Sequence, residues 1–244
     1  MSQSNDPEFE ADTAPRLFAL VPAAGSGSRS GAAIPKQYVR VAGASVIAHT
    51  LRALLAVPQI IRVLVVLAPD DEMFEKALDG PLDPRCMALR LGGASRAETV
   101  ANGLQAMRHE FANEHDWVLV HDAARCLLQP HWVDRLIQEC LLDDVGGLLA
   151  MPIADTLKQS IGGRVGATLD RSDKWAAQTP QMFRVGPLQH ALCMARAVVT
   201  DEASAMEAIG LQPRLVLGHA TNLKLTWPDD FELAEQLLMA RKNQ

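Results

Sequence analysis

The chain has 244 residues, 48% of them hydrophobic and 21% charged, with a formal net charge of −6, which suits one large α/β domain with a substantial core. The acidic balance excludes a sequence-independent nucleic-acid binder, which needs a broad basic surface to displace counterions, and points to a small anion as partner. No apolar run approaches the roughly 20 residues that span a bilayer, and the opening MSQSNDPEFEADTAP is polar and acidic, so neither a membrane partner nor a secretory leader is expected.

Residues 1 to 15 offer little apolar surface to offset ordering and are expected to be a disordered tail, leaving one domain from 16 to 244. From Arg16 onward, β-type runs alternate with helix-period segments. LFALV (17 to 21) is followed by a glycine-rich loop, then SVIAHTLRALLAV (45 to 57), IIRVLVVLA (60 to 68), DDEMFEKAL and CMALRL (86 to 91). The alternation predicts stacked βα units. The next helix opens at Ser95, where Glu98 three residues later makes a capping box ahead of Val100, Leu104 and Met107. DWVLV (116 to 120) reads as a strand, PHWVDRLIQECLL as a helix and GGLLAMP (146 to 152) as a strand. Near-continuous apolar strands imply a mostly parallel twisted sheet with helices on both faces, a Rossmann-like architecture that binds ligands at the carboxyl ends of its strands.

Between 153 and 175 the rhythm stops, and the GlyGly pair flanked by short alternating segments predicts a projecting β-hairpin. Helices are expected around 186 to 198 and 201 to 209, strands at RLVLG and NLKLT, and a final amphipathic helix at DDFELAEQLLMAR. With the chain ending soon after Arg241, no second domain is expected.

The candidate chemistry begins in the loop Pro22, Ala23, Ala24, Gly25, Ser26, Gly27, Ser28, Arg29. Its small residues let backbone N–H groups approach a phosphate. It lacks the Gly-Lys-Ser/Thr ending of a Walker loop, and Ser30 stands where a dinucleotide fingerprint needs its third glycine. A tight turn accounts for the glycines alone, but not for Arg29 and Lys36, which add full positive charge to the backbone dipoles. Asp122, ending the WVLV strand, is either a helix cap or a ligand to magnesium and substrate. His121 reads as structural, because no second histidine stands at ligand spacing. Alternation in NLKLT aims Lys224 away from Leu223 and Leu225. Arg29, Lys36, Arg125 and Lys224, in an acidic chain, point to a polyanion site.

The four cysteines, Cys86, Cys126, Cys140 and Cys193, form no CxxC pair, so a zinc knuckle and a dithiol motif are both excluded and reduced thiols in the cytoplasm are expected. No GxSxG elbow occurs, covalent catalysis is not indicated, and Cys126 reads as a small buried hydrophobe.

PAAGSGSR, PKQY, GGASRAETV, VHDAAR, DTLK, the Asp170-Arg171 pair, QTPQMF, TDEASAME and NLKLTWPDD, in that order, closely resemble the 2-C-methyl-D-erythritol 4-phosphate cytidylyltransferase family from about Leu17 to the carboxyl end. The resemblance implies CTP and methylerythritol phosphate as substrates, magnesium as cofactor, and a homodimer built by a hairpin arm at 153 to 175. It implies catalytic roles for Arg29, Lys36, Arg171 and Lys224. The nucleotide would sit against Pro22, Ala23, Ala24, Gly25, Gly27, Gly93, Thr99, Asp122 and Ala123, with Asp122 also holding the metal. The acceptor would meet Asp122, Arg125, Thr156, Arg171, Thr179 and Lys224, with Thr156 and Arg171 acting across the dimer interface.

Two departures from the family pattern stand out. Cys126 follows DAAR where proline is usual, removing a φ restraint, and SGAAI (30 to 34) is smaller than the corresponding stretch of many members. Both predict a more mobile loop without ligand. The alternative within the same architecture is a cytidylyltransferase for another polyol phosphate, such as ribitol 5-phosphate. A dinucleotide-dependent oxidoreductase would show an acidic residue roughly 20 residues past the glycines, whereas the second strand ends only at LAPDD (67 to 71).

Overall fold

LFALVP forms β1 (Leu17–Pro22), fully buried up to Val21. The short pair β2 (Arg40–Val41) and β3 (Ala44–Ser45) leads into α1 (Val46–Leu55), capped by the Ser45 hydroxyl. Then come β4 (Ile60–Val66), the single turn α2 (Phe74–Ala77), β5 (Cys86–Leu89), α3 (Arg96–Glu110), β6 (Trp117–Val120) and α4 (Pro130–Cys140). The second half holds β7 (Gly146–Pro152), β8 (Leu157–Ile161), β9 (Arg164–Leu169), β10 (Trp175–Arg184), α5 (Val185–Met194), α6 (Glu202–Ala208), β11 (Arg214–Leu217) and α7 (Pro228–Lys242). The structure is a computed structural model that describes residues 15–25, 34–195 and 199–242. The expected tail up to residue 14, Gly27, Arg29 and most of the SGAAI stretch therefore lie outside the described residues.

Seven strands form the main sheet in the order β11-β7-β10-β6-β1-β4-β5. All neighbours run parallel except β10, which is antiparallel to both β6 and β7. Because strand side chains alternate, β1 sends Leu17, Ala19 and Val21 to one face and Phe18 and Leu20 to the other. The first face packs on α1 and α4 through Ile47, Leu54, Val133 and Ile137. The second packs on α3, α5 and α6 through Leu104, Met107, Leu188 and Met206. A smaller cluster of Val41, Val46, Cys126, Leu127 and Leu225 docks α7 against β2, the start of α1 and the loop after β6. This is the mixed, mostly parallel α/β architecture expected, with the β8-β9 hairpin turning on Gly162 and Gly163, both at positive φ.

Four details differ from expectation. NLKLT is not a strand: Asn222 and Leu225 are its buried residues, and the segment is held by single backbone bonds, Leu225 N–H donating to Ala124 O at 2.9 Å and Asn222 N–H to His219 O at 3.0 Å. Its alternation was shaped by contact with the 123–126 loop, not by a ladder. Conversely, β10 was not foreseen, because WAAQTPQMFR contains a proline and two glutamines. A register shift between Ala177 and Gln181, across the cis Thr179-Pro180 bond, lets the strand carry them. The capping box at α3 is half formed. Ser95 Oγ accepts from Glu98 N–H at 3.1 Å, but the Glu98 carboxylate takes the Ala94 N–H at 2.8 Å instead of reaching Ser95. Finally, α7 does not segregate its apolar residues: Phe231, Leu237 and Leu238 pack inward while Leu233 and Met239 stay exposed.

At Gly103 α3 lies close against the sheet, where an added Cβ would stand 2.7 Å from Leu20 Cδ1 and 2.8 Å from Val66 Cγ2. Gly103→Val is expected to destabilise the domain by about 1–3 kcal/mol through overpacking, read by urea denaturation; a midpoint equal to wild type would show that the contact can relax.

Candidate active site

The carboxyl ends of β1 and β6 and the amino end of α3 enclose a cavity of about 500 Å³, within the usual range for a small-molecule site. Pro22, Ala23, Ala24 and Gly25 form one wall as the chain leaves β1. Gln37, not anticipated from sequence, fixes that wall: its buried amide donates to Ala23 O at 2.9 Å and Gly25 O at 3.1 Å. Lys36 also lines the cavity, its Nζ donating to Leu225 O at 3.0 Å. Opposite lie Gly93 and Thr99. The two walls approach so closely that a Cβ on Gly92 would sit 2.3 Å from the Ala24 Cβ. Thr99 Oγ1 accepts from Gly93 N–H at 3.1 Å and donates to Ser95 O at 2.9 Å, which fixes the entry to α3. The amino end of that helix lines the cavity with Ser95, Arg96 and Thr99, and the positive end of its dipole favours an anion there.

Asp122 and Ala123 form the floor. Asp122 is only 7% exposed, and α4 has Gln129 as its N-cap, so the helix-cap reading of Asp122 falls. Its carboxylate is surrounded by cations instead. Oδ1 accepts from Arg96 Nε at 2.9 Å, and Oδ2 lies 2.8 Å from Lys224 Nζ and 3.7 Å from Arg125 Nε. The last is a contact of charges without a hydrogen bond, and Arg125 Nε has no hydrogen-bond partner among the described residues. Burial alone would raise the Asp122 pKa; the charges of Arg96, Lys224 and Arg125 outweigh it and hold the carboxyl well below its usual range. Lys224 is thus an ion-paired member of the site, not a solvated charge.

A second cavity of about 170 Å³ adjoins the first and shares Arg96, Asp122 and Lys224 with it. Arg125, Gln178, Thr179 and Asp201 are among the other residues of its wall. Arg125 is aimed by donating to Asn222 O at 2.6 Å. Thr179 Oγ1 accepts from Asp122 N–H at 3.1 Å and lies 3.0 Å from His121 Nδ1. His121 Nε2 lies 3.2 Å from Arg125 O, which can only accept. The proton therefore sits on Nε2, and the Thr179 hydroxyl donates to Nδ1. Burial pushes the His121 pKa down to about 4, in keeping with a neutral structural ring. The buried thiol of Cys126 is pushed up to about 12, again by burial, so it stays an unreactive thiol.

The sequence reading missed Arg96 and Glu202. Arg96 gives its two terminal nitrogens to Glu202, at 2.7 and 3.0 Å, across a separation in sequence that no motif spacing reveals. Thr156 and Arg171 are exposed on the arm and are not among the described residues lining either cavity. Gly27 and Arg29 lie outside the described residues. Among the described residues no cluster of three or more His, Cys, Asp or Glu side chains could hold a metal, and no helix is long and apolar enough to cross a membrane.

Residues 17–240 match the family described as 2-C-methyl-D-erythritol 4-phosphate cytidylyltransferase (IspD). A protein of that name from Laribacter hongkongensis is 58% identical over 227 residues, covering 91% of this chain and 96% of the relative. The bifunctional enzyme IspD/IspF of Albidiferax ferrireducens is 56% identical over 234 residues, 96% of this chain, which spans about half (56%) of that relative's length. Among solved structures, a crystal structure of 4-diphosphocytidyl-2C-methyl-D-erythritol synthase superposes with a TM-score of 0.81 at 41% identity, covering 92% of this chain and 98% of the other. A family match over nearly the whole chain, supported by a shared fold, shows that this chain belongs to the 2-C-methyl-D-erythritol 4-phosphate cytidylyltransferase family.

Proposed function

We propose that the chain transfers a cytidylyl group from CTP to 2-C-methyl-D-erythritol 4-phosphate, a step of non-mevalonate isoprenoid synthesis. The single observation that best supports this reading is the wall of Arg96, Asp122 and Lys224 common to the two cavities. It suits a reaction in which two polyanions, one in each cavity, must meet. A phosphate oxygen of the acceptor attacks the α-phosphorus, the bond to the β-phosphate oxygen breaks, and CDP-methylerythritol and pyrophosphate result. The attacking phosphate is already ionised, so no general base is needed, and positioning with charge neutralisation supplies the catalysis.

Pro22 to Gly25 together with Gly27 cradle the triphosphate in this reading, and Arg29 and Lys36 neutralise charge that builds on it. The backbone at Ala23, Ala24 and Gly93, with Thr99 and Ala123, contacts the nucleotide and favours cytosine. Lys224, Arg125 and Thr179 hold the acceptor. Magnesium needs no all-protein cage, since it is commonly held by one carboxylate plus substrate phosphates. Asp122 is the one carboxylate on the shared wall, and with about four lone-pair positions it keeps capacity beside its bonds to Arg96 and Lys224. When bound, the metal would screen the charge of the triphosphate.

The 153–175 arm reaches a second subunit in this reading, bringing Thr156 and Arg171 to the partner's acceptor site. The exposed apolar residues Ile161, Val165 and Leu169 on the hairpin favour such a contact. Four unpaired cysteines suit a reducing, cytoplasmic location.

Lys36→Ala is expected to lower kcat by about 10²–10³-fold while shifting the Kd for CTP less than tenfold, compared by single-turnover rates and calorimetry. Near-normal turnover would remove Lys36 from the mechanism. Pyrophosphate release measured with each nucleoside triphosphate, against methylerythritol phosphate and ribitol 5-phosphate, is expected only for CTP with the first acceptor; preference for ribitol phosphate would support the alternative polyol reading. If Arg171 acts across the dimer, mixing inactive Lys36→Ala and Arg171→Ala subunits should restore about one quarter of the sites, since random pairing makes half the dimers mixed with one intact site each. No recovery in demonstrated mixed dimers counts against arm exchange.

A further inference from the structure

The wall between the two cavities contains an arginine whose orientation is dictated from outside the site. Arg96, at the first turn of α3, presents Nε to Asp122 Oδ1 at 2.9 Å and its two terminal nitrogens to the carboxylate of Glu202 at 2.7 and 3.0 Å. A guanidinium is a rigid planar fork, so two parallel bonds to one carboxylate fix the direction of the third nitrogen. Glu202 is 1% exposed and is itself anchored. It opens α6, whose first turn is pinned to β10 by Gln181: Gln181 Oε1 accepts from Ala203 N–H at 2.7 Å, and Gln181 Nε2 donates to Asp201 Oδ2 at 2.9 Å. A chain of alternating charge thus runs from Glu202 through Arg96 and Asp122 to Lys224, joining α6, α3, the end of β6 and the 222–226 segment.

We infer that Glu202 is a positioning residue for the transfer reaction: by holding two nitrogens of Arg96, it leaves a single bond for Asp122 Oδ1 and so directs Asp122 Oδ2 and Lys224 toward the acceptor. Without it, Arg96 is at liberty to take both Asp122 oxygens as a fork, displacing Lys224 from the place where the acceptor's phosphate must lie. On the nucleotide side, the β1 loop, Gly93 and Thr99 are not touched by this rearrangement. A pair that merely stabilised the fold would not distinguish the two substrates; this one does, because the group it displaces is Lys224, which holds the acceptor in the reading above and is ion-paired to Asp122.

The inference rests on the functional reading above, and one assay separates the two. Glu202→Gln preserves shape but removes the charge and one acceptor oxygen. With wild type run in parallel on CTP and methylerythritol phosphate, the variant is expected to show a roughly 10- to 100-fold loss of kcat/KM for the acceptor, as small misplacements in a reacting pair do, with the KM for CTP within twofold. Glu202→Asp, which restores the charge, is expected to recover part of the loss. Equal losses toward both substrates in step with a lowered Tm, or acceptor kinetics unchanged from wild type, would overturn the positioning role. Should Glu202→Gln not fold, the same selective loss, smaller, is expected in Glu202→Asp, and its absence overturns the inference equally. A wild-type chain inactive on this substrate pair would instead undo the functional reading.

Discussion

The burial of one carboxylate, Asp122, constrains most of what surrounds it. An ionised group taken out of water is costly unless charge and hydrogen bonds return what hydration supplied. Here Arg96 and Lys224 bind separate oxygens of the carboxylate while Arg125 stands near the second. Each cation comes from a different part of the fold: Arg96 from the first turn of α3, Arg125 from the loop after β6, and Lys224 from the segment before α7. The charge cluster can therefore exist only once distant segments have met. Nor does it end in balance. With Asp201 and Lys36, which also line the cavities, Asp122, Asp201 and Glu202 supply three negative charges against the four positive charges of Lys36, Arg96, Arg125 and Lys224, so a surplus of positive charge faces the cavities, as a meeting place for phosphates requires.

The sheet makes that meeting possible. Parallel strands end together on one edge, and loops from successive βα units converge there. The reversed strand β10 adds something a purely parallel sheet would lack. It passes between β6 and β7 and brings its interior, Gln178 to Gln181, alongside the end of β6. From there Thr179 bonds the Asp122 backbone and His121, Gln178 bonds His219 O at 2.9 Å, and Gln181 holds the start of α6. These polar side chains, all under 9% exposed, tie the floor of the site to the elements that carry its charges.

How much of this the sequence revealed follows from the range of each interaction. Strands such as LFALVP and WVLV were legible because burial on both faces writes a continuous apolar run, and the cations Lys36, Arg125 and Lys224 were legible because they stand beside loops or runs that pattern marks. β10 was hidden because its polar residues serve the site and its pattern is broken by Pro180. NLKLT misled for the opposite reason: a short alternation was imposed by packing of Leu225 against the Ala124 to Leu127 cluster. Arg96 lay in view within GGASR, yet its partner Glu202 is far along the chain, and Gln37 acts on backbone oxygens that leave no trace in composition.

Cys126, where the family resemblance leads one to expect a proline, shows how such long-range contacts change an inference drawn from local rules. Loss of a φ restraint predicts a looser loop. Yet each carbonyl from Asp122 to Arg125 is held: by Arg125 N–H at 3.0 Å, the Thr50 hydroxyl at 3.0 Å, Leu225 N–H at 2.9 Å and His121 Nε2 at 3.2 Å, in that order. Cys126 itself is 2% exposed and packs with Val41, Val46, Leu127 and Leu225. The restraint that proline would place on one dihedral is thus distributed over a row of hydrogen bonds and an apolar contact. Because Thr50, Leu225 and His121 belong to α1, the 222–226 segment and the end of β6, the loop's order depends on the same convergence of segments that positions Asp122.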